Sequence, residues 1–338
     1  MVFPFGAKHV DSRPGIPIRA LGVWKEGNFM DLNVRPLEHI GVEVLDLDLG
    51  APVDTATRDA LEALWLEHGV LAFRNQTMDV AQQIAFSALF GELARHPLEV
   101  KLASEHPELF VLDTGVDLAR DEVETSYWDG VPLVGRLSWH KDLHYTGRPN
   151  RGAVMRSVTA EEGGGCTGFC DLGMAYDALD ETTKKRIEGL EVTYVFEMQR
   201  AKWRFADLKG FEPGPKNPKK PSDVGFPDFP DSVYPAVVTH PVSGRRVLEV
   251  AEQFLDRFEN AAEFGLAPEE ADALLQELVD HTRRPEFQYI HDWRPGDVVL
   301  WDNWRTMHCG TGTPPGTRRL LHRTTIVGDV ALGRHLDA

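Results

Sequence analysis

The sequence has few cysteines, few basic residues relative to acidic ones and no long apolar run, and each shortage excludes a class of protein. Three cysteines in 338 residues are typical of a reducing compartment and cannot supply a disulfide framework. We therefore expect a cytoplasmic protein. The 36 basic and 53 acidic residues give a formal net charge of −17, which argues against a nucleic-acid partner because phosphates require a basic surface.

Membrane insertion and secretion are not expected either. No stretch of 18 apolar residues occurs, so no membrane span is predicted. The first residues lack the basic start, apolar run and cleavage site of a signal peptide. Cys166 and Cys170 resemble half of a zinc site, but no second cysteine pair follows them. We interpret them as small buried residues.

The pattern of short strands predicts one domain behind an N-terminal arm. Residues 1–33 have mixed character with several prolines and glycines, and we expect an extended arm there. Between residues 34 and 332, short apolar runs alternate with Pro/Gly turns, mainly in the second half. This predicts a mainly β fold with flanking helices (α+β), a jelly roll or distorted barrel, with insertions at about 113–136 and 203–234.

Periodicity and cap residues predict the first elements. Leu37–Leu49 alternates and is expected to be a strand. Asp54 or Thr55 would cap a helix that ends at Gly69, and Asp79 would cap a second helix. The second helix is expected to face the core with four residues: Ile84, Ala85, Ala88 and Leu89.

Two less regular segments are expected near the mouth of a site. Asp113–Gly135 contains the aromatic and turn residues Thr125–Gly130 without a clear period, and we interpret it as a loop. Residues 211–234 contain six prolines and three lysines, which fits either an exposed linker or a flap. We favour an ordered flap because four aromatic residues lie in or beside it: Trp203, Phe205, Phe226 and Phe229.

A metal-ligand pattern lies at His140 and Asp142. On a strand, residues two apart share a face and can reach one ion. The His-x-Asp pattern is weak alone, since it also occurs at His9 and His335. His308 would be the third ligand. Two histidines and one carboxylate bind Fe(II) on one side and leave the opposite positions open for a chelating cosubstrate and O₂.

Arg319 follows His308 by eleven residues in an apolar segment, Val298–Gly328. A core histidine without a metal is the commoner fate of one histidine among 13, but the arginine favours a site. An arginine on an apolar strand needs an anion, and its planar group matches a carboxylate bidentately. A structural ion pair is the alternative. We expect the ligand and the anion clamp to face one cavity from neighbouring strands.

These residues resemble the taurine/2,4-D dioxygenase family of Fe(II)- and 2-oxoglutarate-dependent oxygenases. His140-Lys141-Asp142, His308 and Arg319 carry the resemblance, which extends from about Leu37 to Asp329. Further segments are similar to the family in the same order: Phe90–Leu93, Gly164–Thr167, Thr239–Gly244, Trp301–Asn303 and Arg318–Ile326.

The resemblance implies a double-stranded β-helix of cupin-like shape with Fe(II) on His140, Asp142 and His308. Arg319 would clamp the distal carboxylate of 2-oxoglutarate, and Thr167 would hydrogen-bond this cosubstrate. Oxidative decarboxylation to succinate and CO₂ would be coupled to oxidation of a substrate C–H bond by O₂. Hydroxylation is expected, with desaturation or ring formation on an amino-acid-derived or natural-product substrate as the alternative.

The same resemblance implies a pocket for a small anionic substrate. In the sulfonate-oxidising branch, positions that match His96, Phe254 and Arg323 line the pocket, and Arg323 would hold the anionic group. Arg323 could instead support Arg319 or pair with a nearby acid. Arg136 stands where that branch carries an asparagine, and either recognises a second acidic group or is solvated. The family often forms dimers or tetramers, so a homo-oligomer is expected.

Two other classes of protein stay open at this point. One is a jelly-roll hydrolase or isomerase that uses the same ligands around Zn or Mn, and the other is a non-catalytic, cupin-like binding module. Arg319 has no task in simple hydrolysis, and a binding module has no need of the intact set His140, Asp142 and His308. The oxygenase interpretation is therefore favoured.

Overall fold

Two facing β-sheets form the centre of the molecule, as the strand pattern predicts. The computed structural model describes residues 32–115, 125–215 and 220–336. All but the last two residues of the expected arm, and parts of both expected insertions, lie outside these ranges. Within the ranges, every helix is too short or too polar to traverse a bilayer.

The described strands and helices are short, apart from two helices of about four turns. In chain order the strands are β1 (Val34–Pro36), β2 (Val42–Val44), β3 (Val70–Phe73), β4 (Leu93–Ala94), β5 (Leu109–Asp113), β6 (Thr125–Trp128), β7 (Val131–Val134), β8 (Leu137–His140), β9 (Gly152–Ala160), β10 (Cys166–Asp171), β11 (Glu191–Tyr194), β12 (Phe211–Glu212), β13 (Ser232–Pro235), β14 (Val237–Thr239), β15 (Arg246–Leu248), β16 (Leu255–Phe258), β17 (Gln288–Asp292), β18 (Val298–Asp302), β19 (Thr306–Gly310), β20 (Arg319–Ile326) and β21 (Arg334–His335). The helices are α1 (Thr55–His68), α2 (Val80–Ala88), α3 (Leu172–Asp177), α4 (Glu181–Ile187) and α5 (Pro268–Thr282).

The larger sheet has the order β1-β2-β3-β18-β9-β20-β4, with β5 also paired to β20, and the smaller one has the order β17-β10-β19-β8. Their inner faces meet in a core to which the larger sheet contributes Met155 and Trp301 and the smaller contributes Phe169 and Tyr289. Apart from the parallel pair β2–β3, the strands of both sheets pair antiparallel, and alternating inward side chains from two such sheets are the structural basis of a jelly roll. The predicted fold class is therefore confirmed.

Helices α1 and α2 cover the outer face of the larger sheet. Asp54 caps α1 by accepting from the Thr57 N–H, and Gly69 ends it with a left-handed φ of 73°, as predicted. Asp79 caps α2 in a capping box with Gln82, which is also as predicted.

The predicted inward face of α2 is wrong in part. Ala85 and Ala88 are exposed, whereas Gln83 is buried with Phe86 and Ser87. The physical reason is a buried polar contact, because the Gln83 amide donates to the His322 carbonyl at 2.9 Å. This contact keeps the polar Gln83 side chain buried, whereas the pattern of apolar residues predicts that it is exposed.

Two further expectations need correction. Of Leu37–Leu49, only Val42–Val44 is a strand, and the chain then leaves the sheet through Asp46, whose φ is 56°. The expected loop at Thr125–Gly130 is instead the first half of the hairpin β6–β7. Its turn, Asp129-Gly130, has φ of 51° and 78°, which is the backbone of a tight two-residue hairpin turn that Asp-Gly favours.

A second layer packs beside the smaller sheet. The strands β16, β11, β13 and β21 form a sheet, and α5 buries Leu274, Leu275 and Leu278 in the same core as Tyr194 and Tyr234. The predicted hairpin in Val237–Val250 is confirmed as β14–β15. Residues 249–254 follow this hairpin. The Gln253 N–H donates to the Trp139 carbonyl at 3.1 Å, which joins this segment to β8.

Candidate active site

Three side chains of metal-ligating type converge at the end of the smaller sheet. His140 ends β8 and is the antiparallel partner of His308 on β19, which places their ring centroids 4.1 Å apart. Asp142 follows in the next turn, with carboxylate oxygens 3.9 Å from His140 Nε2 and 3.6 Å from His308 Nε2. All three candidate ligand atoms lie within 4.8 Å of one another. The three side chains therefore lie close enough to reach one ion.

The protonation states of this cluster suit a divalent cation. Burial lowers the pKa of His140, and burial together with the neighbouring His140 lowers the pKa of His308 to about 3, so both rings are neutral at pH 7. His140 Nδ1 lies 2.8 Å from the Ser138 carbonyl, which assigns the N–H to Nδ1 and leaves the Nε2 lone pair for a metal.

Asp142 stays ionised although it is buried. Burial alone would raise the pKa of its carboxyl, but the charge of Arg323 favours the ionised form and that pKa lies below its ordinary value. Arg323 Nη1 lies 2.9 Å from each carboxylate oxygen. Two neutral nitrogens and one anionic oxygen are a donor set that fits Fe(II).

The main chain of Asp142 is also held in place. Its N–H donates to Asn303 Oδ1 at 3.0 Å, and its carbonyl accepts from Asn303 Nδ2 at 3.0 Å. Asn303 belongs to the Trp301-Asp302-Asn303 segment that resembles the family. The segment thus fixes the turn that carries one candidate ligand.

Arg319 is a buried cation that lacks a partner for two of its donors. Among the described residues, its Nε and Nη1 have no hydrogen-bond partner. Burial lowers the pKa of its guanidinium to about 10, so it is still charged at pH 7. A buried charge without partners needs an anion. A carboxylate of a bound ligand would pair with both free donors, whereas no described residue forms the structural ion pair that was the alternative.

Arg319 and His308 do not lie on neighbouring strands, which corrects one expectation. His308 is on β19 of the smaller sheet and Arg319 begins β20 of the larger sheet. The turn Gly310–Gly316 carries the chain from one sheet to the other, so the two side chains come from facing sheets.

Thr167 lies on the same face of the smaller sheet as His308. It is two residues from Phe169, which is the antiparallel partner of His308, and alternate residues of a strand share a face. The buried Thr167 hydroxyl accepts from Trp293 Nε1 at 2.9 Å. Its own O–H is left as a donor for another acceptor.

Two of the four predicted pocket residues reach the cluster. Arg323 pairs with Asp142, and it also lies 4.8 Å from the centroid of the Phe110 ring. His96 packs on the same ring, with 4.4 Å between the two ring centroids. Burial and the nearby charge of Arg323 lower the pKa of His96 to about 3, so His96 is a neutral polar group.

Arg136 is not brought to the cluster. Its guanidinium lies 3.8 Å from the centroid of the Trp128 ring. Burial lowers its pKa, and Cys309 is the ionisable group that opposes this shift most strongly. Cys309 packs against Trp139 and Met307, whereas its neighbour His308 faces the cluster. Arg136 therefore lies on the outer side of the smaller sheet.

Phe254 belongs to a group of aromatic rings that the sequence did not reveal. Tyr145 lies at its centre, with ring centroids 4.5 Å from Phe196, 4.6 Å from Phe229 and 6.1 Å from Phe254. Tyr145 is three residues from Asp142 in the chain, and the group is connected to His96 through Phe226, whose ring centroid lies 6.3 Å from that of His96. The five members, called the aromatic group below, are Tyr145, Phe196, Phe226, Phe229 and Phe254.

Comparison with known proteins agrees with this geometry. Residues 33–325 match the family described as "Taurine catabolism dioxygenase TauD, TfdA family". The chain is 34% identical over 292 residues to an (S)-phenoxypropionate/alpha-ketoglutarate-dioxygenase of Sphingobium herbicidovorans, which covers 86% of this chain and 91% of the relative. It is 30% identical over 304 residues to the alpha-ketoglutarate-dependent 2,4-dichlorophenoxyacetate dioxygenase of Cupriavidus pinatubonensis, with 88% and 98% covered.

A solved structure extends this agreement to the fold. A crystal structure of a taurine dioxygenase from Burkholderia xenovorans matches with a TM-score of 0.68 and 28% identity over 91% of this chain and 95% of that chain. The hydrolase, isomerase and binding-module interpretations have no support in these relatives. The chain belongs to the TauD/TfdA family of Fe(II)- and 2-oxoglutarate-dependent dioxygenases.

Proposed function

We propose that the chain oxidises a C–H bond of a small carboxylate that carries an aromatic ring, with hydroxylation as the outcome. The observation that carries this proposal is the meeting of two features beside His140, Asp142 and His308. One is a cationic group, Arg323, and the other is the aromatic group. The two relatives above, named for phenoxypropionate and dichlorophenoxyacetate, support the same substrate class.

In this proposal His140, Asp142 and His308 hold Fe(II), and Arg319 and Thr167 hold 2-oxoglutarate. The two free donors of Arg319 offer a planar fork for the distal carboxylate, and the Thr167 hydroxyl offers a further donor. When bound, Fe(II) and 2-oxoglutarate supply the oxidising equivalents, with succinate and CO₂ as the coproducts. The protein supplies binding, orientation and a site shielded from water.

Arg323 is proposed to hold both Asp142 and the carboxylate of the substrate. Its Nη1 donates to Asp142, while its buried Nε has no partner among the described residues. This Nε is available to a second anion. The neutral imidazole of His96 packs on the same Phe110 ring as Arg323 and would add a polar contact to the substrate without a second full charge.

The aromatic group is proposed to hold the ring of the substrate. Aromatic side chains pack against a ligand ring in tilted and edge-to-face arrangements, which adds affinity beyond the buried area. Phe226 and Phe229 come from the expected flap, and Phe226 contacts both Tyr145 and His96 at 6.2 and 6.3 Å between ring centroids. We therefore propose that residues 220–229 act as a lid over the substrate.

A cytoplasmic location and a homo-oligomeric state, dimer or tetramer, complete the proposal. The three cysteines are free, which fits a reducing compartment. Size-exclusion chromatography with light scattering tests the oligomeric state, and an elution as a monomer would contradict it.

A panel of paired acids tests the substrate class. Aryloxyalkanoates, saturated alkanoates of equal length and short alkyl sulfonates are each incubated with Fe(II) and 2-oxoglutarate, and succinate and product mass are measured. Aryloxyalkanoates are expected to give the most succinate and a product with one added oxygen atom. Turnover confined to sulfonates without a ring would contradict the proposal, and loss of two hydrogens would favour desaturation or ring formation.

A pair of variants connects that result to the pocket. Phe254→Ala is expected to raise the Michaelis constant for the aryloxyalkanoate and to leave the Michaelis constant for the cosubstrate unchanged. Phe264→Ala is the matched control, because Phe264 is an exposed phenylalanine outside the pocket. An equal effect of both substitutions would remove the aromatic group from the argument.

A further inference from the structure

A buried carboxylate, Glu249, lies behind the candidate metal ligands and is not explained by the activity. Glu249 follows β15 and has no exposed surface. Its Oε1 accepts from Lys141 Nζ at 2.5 Å and from His144 Nε2 at 2.9 Å. Lys141 and His144 are also buried, so three ionisable groups meet in the core.

The two partners of Glu249 flank one candidate ligand. Lys141 precedes Asp142 directly, and His144 follows it by two residues. A single carboxylate oxygen thus ties together both ends of the turn 141–144. Lys141 Nζ also donates to the Trp304 carbonyl at 3.2 Å, which joins the turn to the segment before β19.

The backbone of this turn requires support. Leu143 has a φ of 55°, a left-handed conformation that a branched apolar residue rarely adopts and that persists where surrounding contacts enforce it. Such a conformation beside Asp142 points to a backbone held in one orientation by its neighbours.

The far side of the turn is anchored to the second layer. The His144 carbonyl accepts from Tyr234 Oη at 2.5 Å and from Ser232 Oγ at 3.1 Å, and the His144 ring stacks on Tyr234 at 4.0 Å. Tyr194 Oη donates to the Glu249 carbonyl at 3.1 Å. The network therefore links the ligand turn to β11 and β13.

A gain in stability does not account for a buried charge cluster of this kind. Removing charges from water is unfavourable, and well-packed apolar residues in place of a buried ion pair are often as stable or more stable. Geometric specificity is the better-supported role for such a network. The element whose geometry it controls is the turn that carries Asp142.

We infer that Glu249 is a positioning residue for the metal site. Through Lys141 and His144 it fixes the turn so that the Asp142 carboxylate faces His140 and His308. This inference rests on the proposed role of Asp142 as a metal ligand. Asn303 and Arg323 also hold Asp142, so loss of the network is expected to weaken metal binding rather than abolish it.

The test removes both charges and compares metal affinity with stability. Lys141→Met with Glu249→Leu is expected to keep the fold, since no uncompensated charge remains, and to lower Fe(II) affinity about 10- to 100-fold, as is usual when groups that orient metal ligands are removed. Fe(II) affinity is measured anaerobically without substrate, and the free energy of unfolding of the metal-free protein is measured with urea.

Glu252→Gln is the matched control. Glu252 is buried in the same segment and pairs with Arg283 at 2.6 Å. Its carboxylate also interacts with the backbone of Trp139, which lies outside the turn 141–144, and a glutamine oxygen can keep this contact. Fe(II) affinity is expected to be unchanged in this variant. If the double variant binds Fe(II) as tightly as the wild type, Glu249 is structural and the inference is overturned.

Two additional variants keep the outcome interpretable. Lys141→Met with Glu249→Gln replaces the first double variant if that one fails to fold, because it also leaves no uncompensated charge and keeps a hydrogen-bond acceptor for His144. Fe(II) affinity is again expected to fall, and an unchanged affinity again contradicts the inference. Asp142→Ala tests the premise separately, because it should abolish Fe(II) binding. If Asp142→Ala still binds Fe(II), the proposed metal site is refuted. If Asp142→Ala loses Fe(II) binding and the Glu249 variant binds Fe(II) normally, only the positioning inference is refuted.

Discussion

Replacing Arg319 by methionine separates a cosubstrate clamp from a structural arginine. In the free protein its Nε and Nη1 are buried without a partner in the described chain, so Arg319→Met removes a charge that nothing compensates. The free energy of unfolding without cosubstrate is expected to stay constant or rise. Breaking a buried structural ion pair would instead lower it by about 3–5 kcal/mol.

The same substitution is expected to disable cosubstrate binding. A buried, hydrogen-bonded charge pair loses about 2–5 kcal/mol when one partner is truncated. At about 1.4 kcal/mol per factor of ten, the dissociation constant of the cosubstrate should rise by roughly 30- to 4,000-fold. Anaerobic titration of the Fe(II) protein, followed by the visible charge-transfer absorption of the Fe(II)–2-oxoglutarate complex, measures this constant, and urea unfolding measures stability.

Arg318→Met is the control for this experiment. The Arg318 side chain is 54% exposed and pairs with Asp113 at 3.2 Å, which is a surface contact worth at most about 1 kcal/mol. It should leave the dissociation constant unchanged. A marked loss of stability in Arg319→Met together with normal 2-oxoglutarate affinity would refute the assignment of Arg319 as the clamp.

Three other predictions address the protonation of the site, the lid and the scaffold. Because the pKa of both His96 and His308 is about 3 in the folded protein and about 6.5 when unfolded, the unfolded chain binds more protons below pH 6.5. As the pH falls below 6.5, the free energy of unfolding of the metal-free protein should therefore decrease by about 1.4 kcal/mol per pH unit for each histidine. A free energy of unfolding in urea that is the same at pH 7 and pH 5 would contradict this. Phe229→Ala should raise the Michaelis constant for an aryloxyalkanoate about 2- to 12-fold through the loss of about 0.5–1.5 kcal/mol of ring contacts, and an unchanged constant would exclude Phe229 from the pocket. Asp79→Ala removes the capping box of α2 and should lower the unfolding free energy by about 1 kcal/mol, without effect on the affinity for Fe(II) or for the cosubstrate.

Local rules suggested the candidate metal ligands, and the resemblance to the family selected them from among the other His-x-Asp patterns. His140 and Asp142 are two residues apart at a strand end, and this geometry is independent of the rest of the fold. His308 and Arg319 were identified because a histidine and an arginine stand out in an apolar segment. The antiparallel pairing of His140 with His308 joins residues that are far apart in the chain, and the strand pattern does not specify it.

The pocket required information that local rules do not contain. Tyr145, Phe196 and Phe229 have no common period and meet through the packing of separate layers. The partner of Glu249 is Lys141, 108 residues away, so its ion pair could not be read from the chain. The β6–β7 hairpin is different, since its Asp129-Gly130 turn was a local signal that the interpretation as a loop overlooked.

Anaerobic titration with Fe(II) in the presence of 2-oxoglutarate tests the central claim most directly. The claim is that His140, Asp142 and His308 hold one iron ion beside the cosubstrate that Arg319 clamps. One Fe(II) per chain with a visible charge-transfer absorption is predicted for the wild type, and His308→Ala should lose both. A His308→Ala protein that binds iron as tightly and absorbs as strongly as the wild type would contradict the account.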